Sequence, residues 1–182
     1  MDAGDAVALI EGAIPRRPGT WADIGAGDGT FTRALVERLG PSSGIFAVDR
    51  DAPALAALGR WAKSAGANVV TVVADFSHAF ELAGLDRPAL DGILLANSLH
   101  FVRDAEAVLA RFVRWLRPGG RLVLVEYERR RASRWVPYPI PTERLPALAA
   151  ATGLSAPVIT ATRPSTFGGN LYVAAFDRMP QG

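Results

Sequence analysis

The sequence predicts an α/β protein: a doubly wound, mostly parallel sheet with helices on both faces. Strand-like apolar runs alternate with helical patterns over most of the 182 residues. The strands are continuous apolar stretches, as expected where helices cover a parallel sheet on both sides. The last two apolar runs have a short connection with no helix, so they are predicted to pair antiparallel at the sheet edge.

Hydrophobic periodicity and breakers place the elements. The predicted strands cover residues 20–24, 44–48, 68–74, 89–96, 121–126, about 156–162 and 170–176. The predicted helices cover about 5–14, 28–39, a stretch that begins after Asp51, 104–117 and about 142–152. Asp51 and Asp104 are expected as helix caps, while Gly40 and Gly153 end two of the helices. Residues 1–19 are thus a helix and a Pro/Gly-containing linker before the first strand.

Length and composition favour one domain spanning residues 1–182, with a core of ordinary size. Hydrophobic residues make up 49% of the chain, and it contains no cysteine. A disulfide scaffold, a cysteine-ligated zinc site and a cysteine nucleophile are therefore excluded. No apolar run reaches the roughly 18–20 residues that a membrane span needs. The early acids of the N-terminus do not fit a signal peptide, and a cytoplasmic location is expected.

The charge balance gives little reason to expect a nucleic-acid partner or a membrane surface. The net charge is +2, with 20 basic and 18 acidic residues. Nineteen of the basic residues are arginine, and with the abundant alanine, glycine and proline this indicates codon bias rather than chemistry. The number of arginines therefore does not by itself indicate a function.

A glycine loop, DIGAGDGT at residues 23–30, joins the first strand to the next helix. Its three alternate glycines allow positive φ and close approach of a ligand, and the N–H groups of the helix start can bind an anionic group such as a carboxylate. A dinucleotide-binding loop has its third glycine or alanine where this chain has Thr30. Asp23 would repel a pyrophosphate, but it suits a ligand with positive charge.

The first three predicted strands end in three acids, Asp23, Asp49 and Asp75, which are spaced 26 residues apart. The carboxyl ends of such strands form the ligand-binding edge of an open α/β sheet. Asp49 can accept both ribose hydroxyls; Asp75 can accept from an adenine amino group, with Phe76 against the ring. Each acid also has a local interpretation as a cap or turn residue. Arg50 could contact a 2′-phosphate, which leaves an NADP-binding oxidoreductase as an alternative.

From Thr20 to the C-terminal strand pair, these segments resemble the class I S-adenosylmethionine-dependent methyltransferases. DIGAGDGT resembles motif I, VDRD the ribose-binding acid and VVADF the adenine-binding strand end; ILLANSLHFV and LRPGGRLVLVEYE resemble the segments around the fourth and fifth strands. The resemblance implies a seven-stranded sheet in the order 3-2-1-4-5-7-6, with strand 7 antiparallel. It also implies S-adenosyl-L-methionine as methyl donor and S-adenosyl-L-homocysteine as product.

The resemblance assigns a set of residues to the donor site, and in it Asp23 serves the methionine amino group. The set is Asp23, Gly25, Ala26, Gly27, Gly29, Asp49, Arg50, Asp75, Phe76 and Asn97. A module that binds the donor without catalysis is a further alternative.

The acceptor is expected to be a small molecule methylated on O, N or C without a metal, with a protein acceptor as an alternative. The segment after the fourth strand begins at Asn97 and lacks the prolines of enzymes that methylate nucleic-acid amino groups. Glu126-Tyr127 is not the Asp-Asn pair of metal-dependent catechol methyltransferases. No metal site is therefore predicted.

His100 is the candidate general base, because its pKa range suits proton transfer near neutrality. Packing or capping of the following turn is an equal alternative for this side chain. The predicted acceptor-pocket residues are His100, Phe101, Tyr127, Trp135 and Tyr138. Residues 127–141 are predicted as a lid loop, with a solvated basic loop as the alternative. A homodimer that closes the pocket is a further expectation.

Overall fold

The computed structural model describes residues 2–85, 88–128, 131–165 and 168–180. In these ranges the strands are β1 Thr20–Ile24, β2 Gly44–Asp49, β3 Asn68–Val73, β4 Leu90–Ala96, β5 Leu116–Glu128, β6 Val158–Pro164 and β7 Asn170–Asp177. The α-helices are α1 Ala3–Ile10, α2 Thr30–Leu39, α3 Ala52–Ala65, α4 Ala105–Val113 and α5 Leu145–Thr152, with short 3₁₀ turns at Leu99–Phe101 and Thr142–Arg144.

The seven strands form one sheet in the order β3-β2-β1-β4-β5-β7-β6. The first five strands run parallel to their neighbours, and β7 is antiparallel to both β5 and β6. Asp23 pairs with Ala47 and Asp49 pairs with Val73, so the strand ends that carry the acids lie along one edge. The predicted sheet order, including the antiparallel strand, is confirmed.

Helices cover the sheet on both faces, as predicted. On one face α4 and α5 pack into a core that includes Phe112 and Leu145. On the other face α1 and α2 pack around Trp21, which touches the position where a Cβ on Gly92 would lie. Leu55 and Leu58 of α3 close a smaller cluster beside β2. No helix in the described ranges is both long and apolar enough to span a membrane.

The expected caps are present. The backbone N–H of Ala54 donates to Asp51 Oδ1 at 2.9 Å, and that of Ala107 donates to Asp104 Oδ1 at 3.0 Å. Gly153 ends α5 with positive φ, a conformation that a side chain would make costly.

The largest difference in boundaries is at β5, which was predicted to begin at Arg121 but begins at Leu116. Leu116 continues the apolar spacing of α4, yet it pairs with Leu90 before a register shift brings Arg121 opposite Gly92. Tertiary pairing therefore overrides the helical pattern, and α4 ends at Val113. At the other side of the sheet, Val70 and Val73 of the edge strand β3 are exposed rather than covered by helices.

Candidate active site

Two cavities open at the carboxyl edge of the sheet and share the residues Gly25, Gly27 and Asn97. The first cavity has a volume of about 490 Å³ and is lined also by Asp49, Arg50, Asp51, Ala74, Asp75, Phe76, Ser77, Ser98, Phe101 and Val102. The second cavity has a volume of about 350 Å³ and is lined also by Asp5, Ala26, Asp28, Thr30, Phe31, Ala96, Tyr127, Arg163, Pro164, Ser165 and Leu171.

The glycine loop lies between the two cavities, and each of its three positions has a different local reason for being glycine. All three have positive φ, between 53° and 84°. A Cβ on Gly25 would lie 2.5 Å from the Cβ of Ser98, and one on Gly29 would lie 2.4 Å from Leu58 Cδ1. A Cβ on Gly27 would meet no protein atom within 4 Å. Gly25 and Gly29 are thus required by packing, while the open side of Gly27 faces the space where the cavities meet.

Asp23 is buried under this loop, with 1% of its surface exposed. The Thr32 hydroxyl donates to its Oδ2 at 2.6 Å, while its Oδ1 is buried and has no hydrogen-bond partner among the described residues. Burial raises the pKa of Asp23 to about 7; the Thr32 hydrogen bond opposes this rise and the Asp49 carboxylate adds to it. A buried acceptor without a donor is costly, and a cationic ligand group would fit it.

Asp49 and Asp75 both line the first cavity. Asp49 is held by two backbone N–H groups, from Gly27 to Oδ2 at 2.8 Å and from Asp51 to Oδ1 at 2.9 Å. In Asp75, Oδ1 accepts from both the N–H and the hydroxyl of Ser77, and these bonds lower the pKa of the carboxyl group. Each carboxylate is therefore oriented by the protein and retains acceptor capacity toward the cavity.

Asn97 stands at the junction of the two cavities in a left-handed conformation, with φ of 53°. This conformation is uncommon for a residue other than glycine, though asparagine tolerates it, and such residues often occur at functional sites. Within the part of the chain that the structure describes, its buried Oδ1 has no hydrogen-bond partner, like Asp23 Oδ1. Beside it, the hydroxyl of Ser98 donates to the carbonyl of Ile24 at 2.7 Å and so ties the end of β4 to the end of β1.

Three further predicted donor residues lie at the cavities: Arg50 and Phe76 line the first cavity, whereas Ala26 lines the second. The half-exposed Phe101, predicted for the acceptor pocket, also lines the first cavity. The ring of Phe76 lies 6.5 Å from that of Phe112 in α4, which fixes it from behind. The structure thus brings the predicted donor residues together around the glycine loop.

His100 is buried against Glu126, with 2% and 0% of their surfaces exposed. The Nδ1 atom of His100 lies 2.7 Å from Glu126 Oε2, and the His100 backbone N–H donates to Glu126 Oε1 at 3.1 Å. Its ring contacts those of Phe101 and Tyr127, which line the first and the second cavity respectively. The pair therefore supports both cavities from below, and His100 is not among the residues that line either of them.

The other predicted acceptor-pocket residues are divided. Tyr127 lines the second cavity, but Trp135 is 70% exposed and neither it nor Tyr138 is among the lining residues of the two cavities. The Tyr138 N–H donates to the His100 carbonyl at 2.9 Å, which docks this segment onto the 3₁₀ turn after β4. Within the predicted lid 127–141, residues 129 and 130 lie outside the described part of the chain.

Several residues that shape the site have no clear signal in the sequence. Thr32 holds Asp23, and Arg111 of α4 donates to the carbonyl of Phe76 at 2.8 Å. Arg163 of β6 donates to Asp5 Oδ1 of α1 at 2.7 Å at the wall of the second cavity. Only Thr32 could have been noticed, as a hydroxyl residue beside the apolar stripe of its helix. The other contacts join segments far apart in the chain.

Comparison with known proteins connects this site to a family. Residues 22–122 match the family model described as a methyltransferase domain. An uncharacterised methyltransferase of Mycobacterium tuberculosis is 35% identical over 127 residues, which is 70% of this chain and 47% of that protein. The biotin biosynthesis bifunctional protein BioCD of Bordetella avium is 33% identical over 123 residues, 68% of this chain and 24% of that protein. The chain thus spans less than half the length of these relatives.

Among solved structures, the 1,6-didemethyltoxoflavin-N1-methyltransferase of Burkholderia thailandensis, with its substrate and S-adenosylhomocysteine bound, has the same fold. Its TM-score is 0.76 at 24% identity, over 98% of this chain and 78% of that chain. The family model covers the glycine loop, the three strand-end acids, β4 and the first part of β5, which decides against the oxidoreductase alternative. The chain belongs to the class I S-adenosylmethionine-dependent methyltransferases.

Proposed function

We propose that this methyltransferase transfers the methyl group to O, N or C of a small-molecule acceptor without a metal. The observation that carries the proposal is the meeting of two cavities at Gly27 and Asn97. One cavity has the carboxylates suited to an adenosine, and the other offers a separate, more apolar space. A donor on one side and an acceptor on the other would meet above the open face of Gly27.

The adenosine part of the donor belongs in the first cavity. Asp49 would accept the ribose hydroxyls, since backbone N–H groups already orient its carboxylate. Asp75 would accept from the adenine amino group beside Phe76 and Phe101. Arg50 lines the same cavity, where its contacts would be with the outer edge of the ligand.

The methionine part would pass over Gly25 and Gly27 toward Asp23. The unpartnered Asp23 Oδ1 and Asn97 Oδ1 are both acceptors, so they suit the N–H donors of an ammonium group. An ammonium beside Asp23 would reverse the unfavourable burial of its charge. The residues present therefore fit the donor at both of its ends.

The bound donor supplies an electrophilic methyl group, which leaves sulfur as the acceptor's lone pair forms the new bond and S-adenosyl-L-homocysteine remains. The chain's task is to hold the acceptor in line, and alignment alone can account for much of the rate. Where the acceptor carries a proton, a base must remove it. We propose His100 for this step: Glu126 occupies Nδ1, so Nε2 is the nitrogen left to take the proton. Because His100 is buried beside the rings of Phe101 and Tyr127, one of these rings would have to move for the acceptor to reach it.

Two findings support a small-molecule acceptor and metal-independent transfer. The carboxylate near the end of β5, Glu126, is already buried against His100 rather than presented to a metal. The Burkholderia structural neighbour acts, by its name, on a small molecule, 1,6-didemethyltoxoflavin. That neighbour supports the proposal as a likeness of fold only.

Calorimetry with S-adenosylhomocysteine tests the donor assignment. We expect tight binding to the wild type, loss of binding in Asp49→Ala and weaker binding in Asp75→Ala. Asp49→Asn is the matched control, because it retains an acceptor oxygen for the Gly27 N–H and removes the charge. Binding that is unchanged in both alanine variants would overturn the assignment, as would NADPH binding with no response to S-adenosylhomocysteine.

Turnover against a panel of small acceptors tests His100. His100→Asn should lower turnover, while affinity for S-adenosylhomocysteine is retained. The Glu126→Gln variant keeps the histidine and removes the charge beside it, so it should lower turnover less than His100→Asn does. Unchanged turnover in His100→Asn would assign His100 to packing alone.

A further inference from the structure

We infer that the second cavity binds the acceptor, and that the Asp5–Arg163 pair on its wall recognises a planar heterocycle through a lactam edge, an N–H beside a C=O. The inference rests on the proposed function, because it takes the first cavity as the adenosine site. It adds the chemical class of the acceptor and two residues that select it.

One residue of the pair, Arg163, is on a strand far from the glycine loop in the sheet order. Arg163 is on β6, and β4, β5 and β7 lie between that strand and β1, which leads into the glycine loop. At about 4.8 Å per strand, β6 is about 19 Å from β1 across the sheet. Asp23, which would hold the donor's ammonium, is on β1. Arg163 is therefore placed to contact the acceptor rather than the methionine group.

The geometry of the pair leaves hydrogen-bonding capacity of both kinds. Arg163 donates from one terminal nitrogen to Asp5 Oδ1 at 2.7 Å and from the other to the Asp5 carbonyl at 3.4 Å. A guanidinium has five N–H donors and a carboxylate about four acceptor positions, so both groups can bind further partners. The side chains are 41% and 40% exposed for Asp5 and Arg163, so the pair is not sealed from the cavity.

A ligand with a single charge would suit only half of this pair. An anionic group at Arg163 would lie beside Asp5, whose pKa Arg163 holds below its usual range, so the carboxylate stays ionised. An ammonium at Asp5 would lie beside the guanidinium. A lactam edge gives its N–H to the carboxylate and its C=O to the guanidinium, and so matches both without opposing either charge.

The rest of the second cavity suits a flat, apolar body. Phe31, Tyr127 and Leu171 line it together with Ala26, Ala96 and Pro164. Aromatic and aliphatic walls bind the faces of a ring, while a few polar groups fix its orientation. Asp28, the other acid there, already accepts from the N–H and the hydroxyl of Thr30. The Asp5–Arg163 pair is thus the best placed of these polar groups to form hydrogen bonds with a ring edge.

The test compares two probes on protein saturated with S-adenosylhomocysteine. Lumazine (pteridine-2,4-dione) has lactam edges, and 1,3-dimethyllumazine has the same ring with its lactam N–H groups methylated. We expect lumazine to bind by calorimetry or ligand-observed NMR and 1,3-dimethyllumazine to bind at least tenfold more weakly. Asp5→Asn and Arg163→Gln should each weaken lumazine binding at least fivefold. The Arg121–Asp177 pair at the opposite edge of the sheet is the control, and Arg121→Gln should leave binding unchanged.

Other outcomes would overturn the inference. Benzoate binding that Asp5→Asn strengthens and Arg163→Gln abolishes would mean an anionic acceptor, and tyramine binding with the reverse pattern would mean a cationic one. Arg163→Gln that weakens S-adenosylhomocysteine but not 5′-methylthioadenosine, which lacks the amino-acid part, would place Arg163 at the donor. Equal binding of both lumazines, or none, also contradicts it. In each of these cases the wild type still binds S-adenosylhomocysteine, which leaves the donor assignment intact, so the two proposals fail separately.

Discussion

The two cavities that meet at Gly27 and Asn97 are held in different ways. The walls of the first are fixed by backbone groups: two N–H groups orient Asp49, and a buried hydroxyl joins Ser98 to the end of β1. The second is closed by side chains, with the half-exposed Asp5–Arg163 pair at its wall. An exposed pair of this kind adds little to stability, because water and salt screen it. The proposed donor side is therefore preorganised by the fold, while the proposed acceptor side can change by surface substitution.

The His100–Glu126 pair belongs to neither cavity alone, because it supports Phe101 at the first cavity and Tyr127 at the second. His100→Ala would leave the fully buried Glu126 carboxylate without its imidazole partner. Removal of one partner of a buried pair costs about 3–5 kcal/mol, so we expect the largest loss of stability here. Chemical denaturation measures it as a lower free energy of unfolding.

The double variant His100→Ala/Glu126→Gln separates charge from packing. With no carboxylate left to bury, it should recover part of the lost stability, although the space vacated by the imidazole remains. If the double variant is less stable than His100→Ala, the cost comes from packing and hydrogen bonds rather than from an unpaired charge.

Two glycines of the loop, Gly29 and Gly27, allow a packing role and a ligand-access role to be compared directly. Gly29→Ala places a Cβ against Leu58 in a left-handed conformation, and we expect a loss of about 2–4 kcal/mol. Gly27→Ala has the same backbone problem but no steric one, so it should cost about 1 kcal/mol. Its Cβ would project where the ligand lies, and S-adenosylhomocysteine affinity should fall at least tenfold. Comparable unfolding free energies for the two variants would refute the distinction.

Asp23 gives the proposed donor side a pH dependence that extends to about pH 7. Its pKa of about 7 is above the value of about 3.9 for an exposed aspartate. The native state thus holds a proton that the unfolded chain releases between about pH 4 and pH 7. The contribution of Asp23 to stability therefore declines as the pH rises through this window, and Asp23→Asn should flatten that decline.

We expect ligand affinity at Asp23 to change with pH in the opposite direction to stability. An ammonium group favours the ionised carboxylate, so binding of S-adenosylhomocysteine below pH 7 should release a proton. Its affinity should rise by up to about tenfold per pH unit as the pH approaches 7. Calorimetry in buffers of different ionisation enthalpy measures the proton release. 5′-Methylthioadenosine lacks the ammonium and serves as control; an equal pH dependence for both ligands would remove Asp23 from the amino-group site.

The same difference explains what the sequence could predict. Asp23, Asp49 and Asp75 lie at or just beyond the carboxyl ends of β1, β2 and β3, so their placement follows from the sheet order, and that order is confirmed. The walls of the second cavity depend on contacts between segments as distant as α1 and β6, which no local pattern reveals. Trp135 and Tyr138 have the residue types of a binding wall, but nothing in their spacing determines which surface they face. In the structure they lie outside the walls of both cavities.

Arg111 offers the finest test of how far backbone support extends on the donor side. From α4 it donates to the carbonyls of Phe76 and Ser77, at 2.8 and 3.4 Å, and so holds the loop that carries Asp75. Arg111→Ala should leave the loop attached through β3 but less well fixed. We expect S-adenosylhomocysteine binding to weaken about three- to tenfold. Hydrogen bonds from a charged group contribute about 1.5–3 kcal/mol in well-buried settings and less where solvent competes.

The matched control is Arg114→Ala, which replaces an exposed arginine at the end of the same helix. Because the adenine loop is affected, S-inosylhomocysteine, which lacks the 6-amino group, should lose less affinity than S-adenosylhomocysteine. An equal loss for both ligands would mean that Arg111 supports the whole cavity wall rather than the position of Asp75.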